Sequence, residues 1–123
     1  MSIADKIQSA DWKKEKHAPV IECPDTVQAG ETFKIKLSVG KEIPHPNTVE
    51  HHISWIQVFF HPEGEKFAYD LGRFEFNAHG EAESFTEPAA TIIVKLSKPG
   101  TLNAVSHCNI HGLWESEKEI KVS

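Results

Sequence analysis

Thr32-Phe33-Lys34-Ile35-Lys36-Leu37-Ser38-Val39 decides the fold class. Its odd positions are apolar and its even positions polar. That is the period-two pattern of a strand with one face on a core and the other in water. Working outward, Ile53 to Phe60 is apolar on both faces and predicts a central strand. Tyr69 to Phe76 predicts another, with Gly72 a bulge or kink. Ala90, Ile92, Val94 and Leu96 share one face of the next. Val20–Cys23, Leu102–Cys108 and Glu117–Val122 read as shorter strands, and Gly30, Gly40, Pro62-Glu63-Gly64, Gly80, Pro88 and Pro99-Gly100 punctuate the runs as turns. Ile and Val together outnumber Leu by 19 to 5, which favours strand over helix. Seven short strands at this spacing predict an all-β fold, an antiparallel β-sandwich. At the N-terminus Ile3 and Ile7 lie one turn apart and predict a short helical segment.

The chain is 123 residues long, without repeat or linker, so residues 1–123 are expected to form one domain. Ile, Val, Phe and Leu total 31 residues, enough for a core and too many for a disordered segment. No run approaches the ~20 apolar residues of a membrane span. The net charge of −5 argues against a nucleic-acid binder, which needs a cationic surface. Met1 to Lys6 lacks the basic-then-apolar pattern of a secretory signal. Two cysteines, Cys23 and Cys108, are few for a secreted domain of this size, so a reducing, cytoplasmic setting is expected.

Eight histidines stand against one Met and one Tyr, and they fall in groups. His17 ends Trp12-Lys13-Lys14-Glu15-Lys16-His17. His45 lies between two prolines, and His51 and His52 follow just before the Ile53 strand. Cys108 and His111 form a C-x-x-H pair beside Gly112, a spacing that lets a thiolate and an imidazole of one loop reach one ion. The two prolines fix the backbone around His45 and reduce the entropy lost in holding it. If the loops converge, the donors are several imidazoles and one thiolate. A structural zinc site closes with four ligands and typically uses two or more Cys. A blue-copper site needs two His, one Cys and a weak axial ligand, usually Met; the only Met is Met1, far from the C-x-x-H loop, which disfavours copper, although a Gln or a backbone oxygen can serve as the axial ligand. Four His and one Cys would exceed both sets and leave one of six octahedral positions open, as iron chemistry on a small oxygen species requires.

Four segments carry a resemblance. Glu15-Lys16-His17, Gly40-Lys41-Glu42-Ile43-Pro44-His45-Pro46-Asn47-Thr48, Glu50-His51-His52-Ile53 and Cys108-Asn109-Ile110-His111-Gly112-Leu113-Trp114-Glu115 resemble the signature segments of superoxide reductase in its one-iron form, the neelaredoxin or desulfoferrodoxin iron-binding family. The resemblance runs from Asp11-Trp12 to the C-terminus. It implies an immunoglobulin-like sandwich and a mononuclear iron cycling between Fe2+ and Fe3+. It also implies His17, His45, His51 and His111 as equatorial ligands and Cys108 as the axial thiolate. Glu15 would fill the sixth position in the oxidised state, and Lys16 would attract superoxide and support protonation of the peroxide. The implied reaction is one-electron reduction of superoxide to hydrogen peroxide, with a rubredoxin-type protein returning the electron and a homotetramer as the usual assembly.

Around these segments Lys13, Lys14, Lys16 and Lys41 form a local cationic collar in an acidic chain, able to raise an anion's on-rate. Cys23 reads as a small buried hydrophobe, and His52 as a supporting residue. His107, one residue from Cys108 in the same strand, should point away from the centre. His61 and His79 are expected at the surface. Trp12 and Trp114 are expected to pack around the site, and Asn109 and Ile110 to offer backbone N–H groups to the sulfur.

Overall fold

The alternation of Thr32–Val39 becomes a strand whose Ile35 and Leu37 are fully buried while Lys34 and Lys36 face solvent. The computed structural model describes all 123 residues and contains nine strands. They are β1 (Gln8–Ser9), β2 (Val20–Glu22), β3 (Thr26–Val27), β4 (Thr32–Ser38), β5 (Ile53–Pro62), β6 (Tyr69–Glu75), β7 (Ala89–Lys95), β8 (Gly100–Cys108) and β9 (Gly112–Val122). The larger sheet has the order β1-β9-β8-β5-β6, with β3 also on β9, and the smaller has the order β2-β4-β7. All pairings are antiparallel except those of β1 and β3 with β9. The result is an immunoglobulin-like β-sandwich. Ile35, Leu37, Ile56, Val58, Leu102, Ala104 and Ile120 fill the space between its sheets.

The seven strands expected from the sequence are β2 and β4–β9. Two differences have physical causes. The two-residue strands β1 and β3 carry no periodic pattern, because β9 holds them in place by pairing. β9 starts at Gly112 rather than at Glu117, because Gly112, at φ +78°, closes a three-residue hairpin straight after Cys108. The N-terminal segment Ile3–Lys6 is a single 3₁₀ turn, capped by Ser2 and Asp5. The irregularity expected at Gly72 is a register shift between Val58 and Phe59 that leaves Leu71 unpaired. Gly72 also lets the sheets approach closely: a Cβ there would stand 2.8 Å from Cδ1 of Ile92 in the opposite sheet, and the end of that side chain would have to shift. No helix is long and apolar enough to cross a membrane.

Register brings the histidine loops together. Val20, which follows the His17 segment, pairs with Ser38, which precedes the Gly40–His52 loop. Ile53, which ends that loop, pairs with Cys108. Three segments far apart in sequence therefore open at the same end of the sandwich.

Candidate metal centre

Cys108 is the last residue of β8 and is fully buried, with the core beneath it. Its sulfur accepts a hydrogen bond from the backbone N–H of His111 at 3.4 Å, the contact that C-x-x-H spacing makes within a tight turn. Asn109, between the two, points the other way. Its N–H donates to His52 O (3.2 Å), its side-chain amide donates to Glu50 O (2.9 Å), and its Oδ1 accepts from His52 N (2.8 Å). The amide expected from Asn109 therefore goes to the neighbouring loop, and His111 supplies the N–H to sulfur. Asn109 thereby ties the β8–β9 turn to the His51 loop.

His17 arrives on the buried segment His17–Val20, whose carbonyl at His17 accepts from the buried hydroxyl of Ser106 on β8 (2.9 Å). The His17 Nδ1–H donates to Glu15 Oε1 at 2.6 Å. The other carboxylate oxygen accepts from the N–H groups of His17 (2.7 Å) and Ala18 (3.1 Å). The His45 Nδ1–H donates to Pro46 O at 2.7 Å. Both rings are thus locked through Nδ1 with Nε2 turned to the centre, as ligating imidazoles are by an outer partner. Thr48 pins His51, accepting from its N–H at 3.0 Å.

The four rings form a square. Centroid separations along the sides are 4.8 Å (His17–His45), 4.6 Å (His45–His51), 5.0 Å (His51–His111) and 4.7 Å (His111–His17), and the diagonal His17–His51 is 6.2 Å. Adjacent rings are steeply inclined, at 61° to 77°. His17, His45, His51 and Cys108 each bring one donor atom within 4.8 Å of the others. Two opposed metal–ligand bonds of about 2.0–2.3 Å span roughly 4.0–4.6 Å, so the cluster would need to tighten by only about 0.2 Å to hold an ion. His111 joins it through Nδ1, 3.1 Å from His17 Nε2 and 3.7 Å from the sulfur. His45 Nε2 and His51 Nε2 are buried without any hydrogen-bond partner. Two orphaned imidazole nitrogens beside a thiol are costly for a metal-free interior. They fit a first-row transition ion, for which imidazole and thiolate are the preferred donors.

The electrostatics favour neutral rings. Burial, with smaller contributions from His17, His51 and Lys16, holds the pKa of His45 down to about 4 against the pull of its bond to Pro46 O. His51 is lowered by desolvation and then by His111 and Lys16. Burial of Glu15 would raise its pKa, but the hydrogen bonds from His17 and Ala18 outweigh it and hold the carboxyl below its ordinary range. A depressed His45 has a consequence for acid stability of the metal-free chain. Above pH 6.5 the ring is neutral folded or unfolded, and stability is complete. Between pH 6.5 and about 4 only the unfolded chain takes up the proton, so stability falls. The expected loss by pH 4 is on the order of 1–2 kcal/mol after allowing for solvent at the ring. Urea unfolding at pH 7 and pH 4.5 should show it, and His45→Asn should remove its share. An unchanged difference in that variant would assign the loss elsewhere.

The remaining residues fall around this centre. His107 faces away, stacked on Trp55 at 5.6 Å. His52 donates from Nδ1 to Thr48 O (2.9 Å) and stacks on His79 at 3.6 Å. His79, expected at the surface, is instead buried; its Nδ1–H donates to Asn47 Oδ1, whose amide donates to Thr86 O. It braces the ligand loop from behind, and nothing in its local sequence signals that. His61 is exposed and Cys23 is half-buried against the core. Trp114 packs on His17, whereas Trp12 carries Lys13 and Lys41 over its ring.

Comparison with known proteins places this geometry. The chain matches the Desulfoferrodoxin family over residues 9–117. It is 54% identical to a superoxide reductase of Pyrococcus furiosus, across 94% of this chain and 96% of that one. It is 52% identical to a neelaredoxin of Megalodesulfovibrio gigas, across 98% of each. The solved structure of the neelaredoxin superoxide reductase of Archaeoglobus fulgidus, in its reduced form, superposes with a TM-score of 0.87 at 51% identity. It covers 94% of this chain and 98% of that one.

Proposed function

The chain belongs to the desulfoferrodoxin family, and from that premise we propose that it is a one-domain superoxide reductase built around a single iron. His17, His45, His51 and His111 would hold the ion together with Cys108, whose sulfur stands on the core side. The observation that carries this reading is the square of four imidazoles above one buried sulfur. When bound there, the iron would supply one electron, passing from Fe2+ to Fe3+ as superoxide and two protons become hydrogen peroxide.

The residues divide the remaining work. Cys108 would give a bound ion its one sulfur donor on the side away from solvent, and the bond from the His111 N–H would moderate the electron density on that sulfur. Lys16 lies close enough to His45 and His51 to oppose protons on both, and so adds positive potential where an anion would arrive. Glu15 would supply a further carboxylate donor in the oxidised state, leaving the His17 Nδ1–H on which it now rests. A rubredoxin-type donor would return the electron. A homotetramer is the assembly the resemblance favours, and the low cysteine count favours a cytoplasmic setting.

The test is direct. The iron-loaded chain should hold one iron per chain, absorb in the red through a ferric thiolate, and yield one peroxide for each superoxide consumed. Half that yield with evolution of oxygen would mark dismutation and overturn the reading. Lys16→Ala is expected to slow the second-order reaction with superoxide roughly tenfold at low salt and to flatten its ionic-strength dependence. Pulse radiolysis at several salt concentrations measures both, and wild-type values for both would remove the steering role.

A further inference from the structure

Of the five side chains at the centre, His17 is the hardest to hold. It lies 94 residues from His111, in a segment with no ladder of its own between β1 and β2. Glu15 fixes one edge of its ring and Ser106 fixes its carbonyl, but neither constrains the ring face. Trp114 does. Its indole is stacked on the imidazole at 4.9 Å, with 15° between the planes. The same indole donates its Nε1–H to the carbonyl of His111 at 3.2 Å. Trp114 pairs across strands with Ser106, so the residue that clamps the ring of His17 stands beside the one that clamps its main chain.

We propose that Trp114 is a positioning residue that couples the first ligand in the chain to the last. Its ring face sets the plane of His17, and its N–H sets the turn that carries His111. The proposal rests on the iron reading above, but the coupling is a property of the chain itself. Ring rotation of His17 moves Nε2 out of the square, while loosening the turn moves Nδ1 of His111. One side chain restrains both, so its loss should free both together.

The experiment uses the full-length chain with three substitutions. Trp114→Leu removes the stacking and the N–H. Trp114→Phe keeps an aromatic face and removes only the N–H. Phe59→Ala, half-buried on the outer face of β5, removes packing away from the centre. The rate at which a chelator strips iron from the loaded protein should rise ten- to a hundredfold in Trp114→Leu, the usual range for a lost outer partner. It should rise by less in Trp114→Phe and stay near wild type in Phe59→Ala. In the metal-free chain, where Glu15 still fixes the His17 tautomer, the ring protons of His17 and His111 should give sharp lines in wild type and lines broadened together by ring motion in Trp114→Leu. Wild-type release, or ring lines of His17 and His111 as sharp as in wild type, in a folded Trp114→Leu chain would overturn the proposal. So would equal acceleration in Phe59→Ala, which would reduce the effect to general destabilisation. If Trp114→Leu does not fold, Trp114→Phe decides, with wild-type release overturning the N–H role. If the wild-type chain retains no iron, the iron reading fails and the ring lines of His17 and His111 still decide the coupling.

Discussion

Cys108→Ser is expected to lose the red absorption band and to reduce superoxide at least about 100-fold more slowly than wild type, a barrier increase of about 2.7 kcal/mol or more. The sulfur is the only soft donor at the centre and lies at the end of a core strand, so no neighbour can replace it. A serine hydroxyl stays protonated at neutral pH, which removes the negative charge opposite the solvent side. It also places a hydroxyl in a fully buried position, costing about 1–3 kcal/mol of folding stability if it is left unpartnered. Absorption, iron content and rate should therefore fall together while the β-sheet circular dichroism persists. Retention of the red band in a folded Cys108→Ser chain would mean that the sulfur is not a ligand.

Gly40→Ala should damage the fold and the centre in one step. Gly40 has φ +93°, a conformation that side chains rarely adopt, and its missing Cβ would lie 2.9 Å from the backbone nitrogen of His45. Backbone strain and overpacking together predict a loss of about 2–4 kcal/mol. Because the obstructed atom belongs to a proposed ligand, iron uptake should weaken as well. Gly30 provides the comparison. At φ +78° it shares the left-handed backbone, but a Cβ there meets nothing within 4 Å. Gly30→Ala should therefore cost only about 1 kcal/mol and leave iron binding untouched. Equal losses at the two positions, read from denaturant midpoints and iron titrations, would show that the contact with His45 does not matter.

These contrasts also explain what could be read from the residues alone. Strands β4, β5 and β7 announce themselves through alternation or apolar runs, because each has a face against the core. The donors stand out because proline-flanked His45 and the Cys108/His111 pair are local patterns with a chemical meaning. Residues that act only through a distant partner carry no such pattern. Ser106 matters for the carbonyl of His17, Asn109 for the His51 loop, and His79 for Asn47. Each link joins residues that are neighbours only after the sandwich closes. The same holds for β1 and β3, which exist because β9 offers them hydrogen bonds.

His111 differs from the other three imidazoles in turning Nδ1 inward, the nitrogen nearer its own backbone. Its ring forms the corner of the square at the hairpin tip, and the residue is exposed where His17 is buried. A protein that touched this ring would be separated from the ion by a single aromatic unit of conjugated bonds. On the iron reading above, the hairpin tip would thus offer a redox partner a short route to the metal, with no intervening protein chain to tunnel through.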